Sequence, residues 1–519
     1  MATTTWSLVA ASSLIAYAIA RSVYLLYFHP ASSFPGPKLA AVSYVTYCYH
    51  WIRGRYPWFQ EEMHRKYGDV LRVGPNEIVF FTPQAAMGKS TTSELCIKLN
   101  PCRARFQMPA MKNQELFVKT DVMDFGAGDL GFIWESDPAK RNAVAKKLLP
   151  AFSSKAIREK EPVVHMHMDL FVSKMKELGS KPEGLILNDW LVWLCVDMAA
   201  DLAYNREFHH LRDGKTSDFV ETLRGTSFAG TLIQLSKKIS IIGLLAPFFV
   251  PLRILRTSTA IFKANSEAVK MRINNRGKTR HPDFMDYMIS PDHPEPSTKK
   301  ELTHIEQVAL QMFIAGFDPI QVTLFAALFF LLKYPNTCAT LTKEIRDSFS
   351  TYEEITPNAL VNLKYLHAFI QESMRTHLAG SNGMPRVSPG ATVNGVYVPK
   401  GVVCQLSPLT AMRHERYFRD PREFRPERWL PHDHPLFDDR YSNDHLKAFF
   451  PFALGPRQCT GREIAWSQLR LFLGKVLWTF NLEGVYGHEK SFDKDFSVHV
   501  MWNRPEVCMR FLPVRGEKL

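Results

Sequence analysis

One stretch near the C-terminus restricts the architecture more than any other. It is Phe452-Ala-Leu-Gly455-Pro-Arg457-Gln-Cys459-Thr-Gly461, and it runs directly into an amphipathic segment that extends to Phe480. The helical periodicity of that segment places Cys459 near a helix N-terminus, where unpaired N–H groups and the helix dipole favour a negative sulfur. Gly455 and Gly461 allow a tight turn and put no Cβ between the backbone and a flat group beside it. Phe452 can cover the loop, and Arg457, two residues before the cysteine, can reach a carboxylate on that group. A thiolate so presented suits axial ligation of a haem iron, with Arg457 on a propionate. Such a ligand pushes electron density onto iron and favours O–O cleavage.

A buried cysteine is ordinarily inert core; the matched positions around Cys459 are what argue for a ligand. Two further motifs precede it in order. Glu372-Ser-Met-Arg375 puts a carboxylate and a guanidinium one helical turn apart, on the apolar face of Tyr365–Glu372 that would bury them. A buried pair wants a third partner, and Arg428 in Phe424-Arg-Pro426-Glu427-Arg428-Trp429 is the expected one. Together these segments resemble the signature motifs of the cytochrome P450 family. The resemblance implies that Glu372, Arg375 and Arg428 form a structural triad locking the loop that carries Cys459. It also implies haem (heme b) as cofactor, with Cys459 as its metal ligand.

The 519 residues, 46% of them hydrophobic, suffice for a large core. Eight cysteines without a CxxC pair argue for a reducing compartment and against structural zinc. Lys and Arg number 64 against 51 Asp and Glu, for a net charge of +13. These cations are scattered and no nucleic-acid module is recognisable, so a membrane surface and an acidic redox partner are the better readings.

Trp6 to Phe28 is apolar except for Arg21 and a few serines, long enough to cross a bilayer. No basic region precedes it, as a cleavable signal would require. Arg21, Lys38, Arg53 and Arg55 lie at or after its end, which leaves the C-terminal bulk on the cytosolic side. The expected organisation is a membrane anchor over 1–28, a proline-rich hinge over 29–37 and one catalytic domain over 38–519. The family implies the endoplasmic reticulum membrane, crossed once.

The body reads as mainly α with minor β sheets, the cytochrome P450 fold behind an N-terminal transmembrane helix. Ser153–Leu178, Leu191–Tyr204, Thr303–Lys333 and Leu363–His377 have helical spacing. Short strands are predicted at Val70–Val73, Ile78–Phe81, Val396–Val398 and Val507–Phe511. Val308–Leu332 could span a membrane by length, but Gln311, Asp318, Pro319 and Gln321 in its middle fit a core helix better. Ile241–Leu252 is too short to span and holds two prolines. By the resemblance it caps the substrate channel and dips into the membrane.

For the remaining haem contacts the resemblance points to Arg386, after Met384-Pro385, as a second propionate partner. A third is expected from Asp137–Ser153, where Arg141 and Ala145 stand at the family's positions. Lys146 is the expected contact, and Lys147 is assigned to an acidic reductase. In the long helix the family pattern is Ala/Gly-Gly-x-Asp/Glu-Thr, whose acid and hydroxyl relay protons. This chain reads Ala315-Gly316-Phe317-Asp318-Pro319-Ile320, keeping the acid and replacing the hydroxyl with proline. Proline there removes a helical hydrogen bond to the Ala315 carbonyl and costs about 3 kcal/mol uncompensated. Thr323 lies one turn later.

Asp318, Pro319, Gly316 and Thr323 are therefore the expected catalytic positions. Phe106, Phe125, Phe132, Phe228, Phe313, Phe317 and Met384 are expected to line the substrate pocket. The resemblance implies a monooxygenase that hydroxylates, epoxidises or desaturates a lipophilic intermediate of secondary metabolism of filamentous-fungal type. Electrons would come from NADPH through a separate NADPH-cytochrome P450 reductase, since no dinucleotide glycine motif occurs here; a part for cytochrome b5 stays open. Pro319 motivates an alternative on the same fold: an isomerase, dehydratase or coupling catalyst.

Overall fold

The computed structural model describes residues 2–87, 117–249, 252–292 and 294–514. Among them the helices of eight residues or more are Ala2–Val23 (α1), Val45–Ile52 (α2), Tyr56–Tyr67 (α3), Pro138–Leu148 (α4), Ser154–Leu178 (α5), Leu187–Tyr204 (α6), Asp218–Ser236 (α7), Ser240–Phe249 (α8), Leu252–Asn274 (α9), Lys299–Lys333 (α10), Pro335–Ser348 (α11), Lys364–Thr376 (α12) and Arg462–Thr479 (α13). The strands are Val70–Gly74 (β1), Glu77–Phe80 (β2), Val118–Lys119 (β3), Leu185–Ile186 (β4), Arg386–Val387 (β5), Ala391–Val393 (β6), Val396–Val398 (β7), Val403–Leu406 (β8), Phe480–Tyr486 (β9), Ser497–Val498 (β10), Trp502–Asn503 (β11) and Cys508–Pro513 (β12).

The helix α10 runs through the middle of the body. It starts where Thr298 and Glu301 cap each other: the Glu301 N–H donates to Thr298 Oγ1 at 3.2 Å, and the Thr298 N–H returns to the Glu301 carboxylate at 3.0 Å. Its C-terminal half holds an unbroken buried run from Ile320 to Leu331. Along one side it packs on α6, closely enough that a Cβ at Gly316 would stand 3.3 Å from Ala199 Cβ. Pro319 does not break the helix. Instead Thr323 Oγ1 donates to the Pro319 carbonyl at 2.8 Å, so the hydroxyl is tied to the backbone one turn away.

A five-stranded sheet, in the order β1-β2-β8-β5-β3, flanks the helical layer; β2 pairs parallel to β8 and the other pairs are antiparallel. A smaller sheet, β4-β12-β9, gathers the C-terminus. The expected helices at 153–178 and 363–377 agree with α5 and α12 within a residue, while α6 and α10 begin four residues earlier than periodicity indicated. Sequence reading passed over α7 and α9, whose apolar faces are interrupted by polar residues. Although Pro247 lies within Ser240–Phe249, that stretch is a single helix, and Leu244 and Phe248 on it are exposed.

Among the described residues two helices are long and apolar enough to cross a membrane, Thr4–Phe28 and Lys299–Lys333. Most of the second is buried in the body, whereas the first exposes nearly all of its apolar window.

The carboxylate of Glu372, wholly buried on α12, joins the helical layer to the segment that leads to Cys459. Its oxygens accept from Arg375 Nε at 2.7 Å and Nη2 at 2.8 Å, and from Arg428 Nε at 3.2 Å. They also accept from the Arg425 N–H at 2.9 Å and Trp429 Nε1 at 2.8 Å. Arg375 spends its remaining donors on the carbonyls of Met412, Pro421 and Glu423. Arg428 reaches the Arg419 carbonyl and Asp444. Burial alone would raise the Glu372 pKa, but the facing Arg375 and Arg428 hold it below the usual carboxylate range.

Glu372→Gln leaves buried Arg375 without its carboxylate and Arg428 with Asp444 alone, so the native state should lose about 3–5 kcal/mol, measured by denaturant unfolding. Because the folded pKa lies below the unfolded one, the stabilisation is full at neutral pH and fades as pH falls below about 4. The variant should lack that part of the acid limb. Equal acid sensitivity of both proteins would contradict the assignment.

Candidate active site

The segment 449–461 approaches the interior as a loop tied at both ends. The Cys459 N–H donates to the Phe452 carbonyl at 2.8 Å, closing the loop. Gly455 takes φ +73°, as its position requires, but so does Ala453 with φ +56°, a left-handed conformation that costs a non-glycine residue about 1 kcal/mol. Gly461 has ordinary φ, −82°, and stands as the N-cap of α13. Its expected role in the turn is thus not needed, although a side chain there would come within 3.9 Å of the Cys459 sulfur.

Cys459 faces a chamber of about 490 Å³. Across from the loop stand Ala315, Gly316, Pro319, Ile320 and Thr323 of α10. Phe132, Met312, Leu378 and Met384 add apolar wall. Although the Gly461 N–H lowers the thiol pKa, burial is the larger effect and pushes it up. The helix end alone therefore does not produce the thiolate expected from sequence; a metal cation at the sulfur is what would deprotonate it.

A cluster of cations occupies the chamber rim. Lys119, Arg141 and Arg457 line it, with Arg386 directly behind. Lys119 and Arg386 are cross-strand partners on β3 and β5, an arrangement of like charges that destabilises a sheet on its own. Burial, then Arg386, Arg457 and Arg141, lower the Lys119 pKa to about 7. Burial first and neighbouring cations second bring Arg457 to about 10, and burial alone does the same for Arg386. These groups donate instead to carbonyls: Arg457 Nη1 to Glu135 at 3.3 Å, Arg386 Nη1 to Phe117 at 3.2 Å, Lys119 to Ile133. Arg141 stacks 4.8 Å over Phe132. Among the described residues none of the four has a carboxylate ion-pair partner. Such a rim fits a ligand bearing two carboxylates, and the chamber beside it fits an apolar macrocycle facing Cys459.

Lys146 is exposed and away from this chamber, as is Lys147. The α4 helix, started by Asp137 capping Ala139 and Lys140, turns Arg141 inward instead. Lys119 was missed because two strand residues carry no periodicity, and only their pairing with β5 places the amine at the rim. Of the expected pocket residues, Phe132 and Met384 line the chamber. Phe313 is packed among Tyr204, Phe219 and Phe317 in the core. Phe228 and Phe317 line a separate cavity between α6, α7 and β11, and Phe125 packs edge-on to Trp134. Phe106 lies outside the described residues.

Asp318 turns away from the chamber. Gln321 Nε2 donates to its Oδ1 at 3.0 Å, and Arg504 Nη2 donates to Gln321 Oε1 at 2.8 Å. Burial raises the Asp318 pKa, opposed by Gln321 and Arg504. The acid and the chamber-facing Pro319 thus occupy different sides of α10.

A cysteine thiol at a loop closing on a helix, facing a core helix across a chamber whose cations have no carboxylate partner among the described residues, fits a haem-thiolate enzyme. The comparisons with known proteins agree: a model described as cytochrome P450 matches residues 37–509, and the chain belongs to the cytochrome P450 family. It is 43% identical to the cytochrome P450 monooxygenase TwmD of Talaromyces wortmannii, covering 96% of this chain and 94% of that one. It is 31% identical to the cytochrome P450 monooxygenase BOA3 of Botryotinia fuckeliana, with 96% and 94% covered. The crystal structure of the cytochrome P450DA heme domain superimposes with a TM-score of 0.66 at 17% identity, over 89% of this chain and 93% of that one, which shows the shared fold. The chain is a cytochrome P450 monooxygenase, and its family is built around a haem-thiolate cofactor.

Lys119→Met should weaken haem retention by about tenfold through loss of a charged hydrogen bond, whereas Lys146→Met should leave the haem-to-protein ratio unchanged. Haem loss in the second variant but not the first would reverse the assignment.

Proposed function

We propose that this chain inserts one oxygen atom from O2 into, or desaturates, a lipophilic natural-product intermediate of secondary metabolism. The observation that carries the reading is the Cys459 thiol facing a chamber whose other wall, Ala315, Gly316, Pro319 and Ile320 with Met312 and Met384, is apolar. Cys459 would hold the haem iron; Arg457, Arg141 and Lys119, backed by Arg386, would hold the propionates, with Phe452 at the loop. Haem so bound supplies activation of O2.

The protein's own contribution is positioning and exclusion. Phe132, Ile133 and Leu378 offer an apolar wall that favours a lipophilic substrate and keeps bulk water out. Asp318, held by Gln321 on the other side of α10, offers no oxygen to the chamber. Pro319 brings no hydroxyl there and Thr323 has committed its own to the Pro319 carbonyl, so the last proton donor is a water or a hydroxyl of the substrate. The same observation favours the second reading, an isomerase, dehydratase or coupling reaction that needs no such donor.

Electrons come from NADPH by way of a separate NADPH-cytochrome P450 reductase, and the exposed Lys146 and Lys147 suit an acidic docking partner. The exposed apolar helix ending at Phe28 anchors the chain once in the endoplasmic reticulum membrane, with the body on the cytosolic side.

Cys459→Ser should abolish the thiolate-type Soret shift with carbon monoxide; a retained shift refutes the ligand. Expression in a reductase-bearing host fed with candidate intermediates should yield products heavier by one oxygen atom. Turnover under anaerobic conditions without NADPH would instead establish the second reading. Pro319→Thr should raise the fraction of NADPH consumption coupled to product, whereas a changed product would show that the proline directs the chemistry.

A further inference from the structure

Behind α10, on the side away from Cys459, lies a second cavity of about 530 Å³. Its walls are α6, α7, α10 and the chain around β11, and among the described residues it shares no lining residue with the haem chamber. Phe228 and Phe317, two of the aromatic residues that sequence reading placed in the substrate pocket, line it with Val192, Val196 and Leu223. A concave space of this size, apolar over most of its wall and holding a few placed polar groups, has the character of a small-molecule site.

One cation sets its chemistry. Arg504, which follows β11, lines the cavity, with its guanidinium carbon 4.8 Å over the ring of fully buried Phe325. Its Nη1 donates to the Gln321 carbonyl at 3.1 Å and its Nη2 to Gln321 Oε1 at 2.8 Å. Those bonds use two of the five N–H groups of the fork. Among the described residues no carboxylate forms an ion pair with it. Burial lowers its pKa to about 10 against the opposing pull of Asp318, so the group is charged at neutral pH.

The other polar groups around the cavity are already engaged. Arg224 pairs with Asp189 at 2.6 Å, and the exposed Glu506 accepts from the Tyr486 hydroxyl at 2.6 Å. Asn188 Nδ2 donates to the Pro505 carbonyl, and its Oδ1 accepts from the Val507 N–H. Ser227 Oγ accepts from the Met501 N–H at 2.9 Å. Burial lowers the His499 pKa and keeps that ring neutral, with Nε2 against the Ile52 carbonyl. Arg504 is left as the charged group without a counter-ion.

We propose that this cavity is a second ligand site, which takes a small amphipathic carboxylate. Its acid group meets Arg504, and its aromatic or aliphatic body lies against Phe228, Phe317 and Leu223. A carboxylate matches the planar guanidinium fork, whereas an amine would meet a like charge. An alcohol of the same shape keeps the apolar contacts and loses the charged hydrogen bond.

For the test, the haem-loaded full chain is saturated with 4-phenylimidazole, which takes the iron and fills the chamber. It is then titrated with 4-phenylbutyrate by equilibrium dialysis. One equivalent should bind, about tenfold tighter than 4-phenylbutan-1-ol. Arg504→Gln should weaken binding of the acid by about tenfold and leave the alcohol unchanged. Val192→Phe, which fills the cavity from α6, should weaken both, and it keeps the test decisive should Arg504→Gln not fold. The carbon monoxide spectrum reports folding of each variant. Loss of 4-phenylbutyrate binding once 4-phenylimidazole is present puts the acid in the haem chamber and overturns the proposal. Equal binding of acid and alcohol overturns it too, as does undiminished binding of the acid in either folded variant.

Discussion

Burial of the Glu372 carboxylate is the constraint from which the rest of the active-site architecture hangs. A charge withdrawn from water must be met by donors on every side, and those donors come from α12, from Arg425 and from Arg428-Trp429. Once they are in place, the irregular segment from about 413 to 445 has little freedom, because Arg375 also holds its carbonyls. Arg428 passes the constraint on through Asp444, which accepts from the Arg419 N–H at 2.7 Å. The ring of Trp429 packs 4.7 Å from Phe449, at the entrance to the cysteine loop. A segment with almost no regular secondary structure is thereby held to the tolerance that metal ligation needs.

The chamber rim shows the opposite economy. There the cations have been brought together without acid partners among the described residues, and Lys119 is driven toward neutrality by burial first and by its neighbours second. Local instability of this kind is tolerated where a bound group resolves it. The two clusters therefore divide the work: one is complete within the chain and organises it, and the other is complete only with the cofactor.

What was legible in the sequence followed from how local each signal is. The cysteine loop, the Glu372–Arg375 spacing and the Arg428 segment are contiguous motifs, and their residues meet as read. Trp429 and Asp444 as further members of the network were not legible, since they depend on how an irregular segment folds. Lys146 was expected at the chamber, but a helix of weak amphipathicity gives a poor phase, and Arg141 rather than Lys146 turns inward. Lys119 required a strand pairing between residues far apart in the chain. The aromatic residues expected in the pocket were divided among the chamber, a neighbouring cavity and the core, because aromatic character alone does not distinguish a wall from packing.

The proline in α10 has a consequence for ligand recognition. By lacking an N–H, Pro319 leaves the Ala315 carbonyl without its usual helical donor, and Ala315 is part of the chamber wall. The wall at 319 thus carries a pyrrolidine ring where the family's pattern carries a hydroxyl. Whatever binds there meets one polar group fewer, so shape rather than hydrogen bonding decides what that part of the surface accepts.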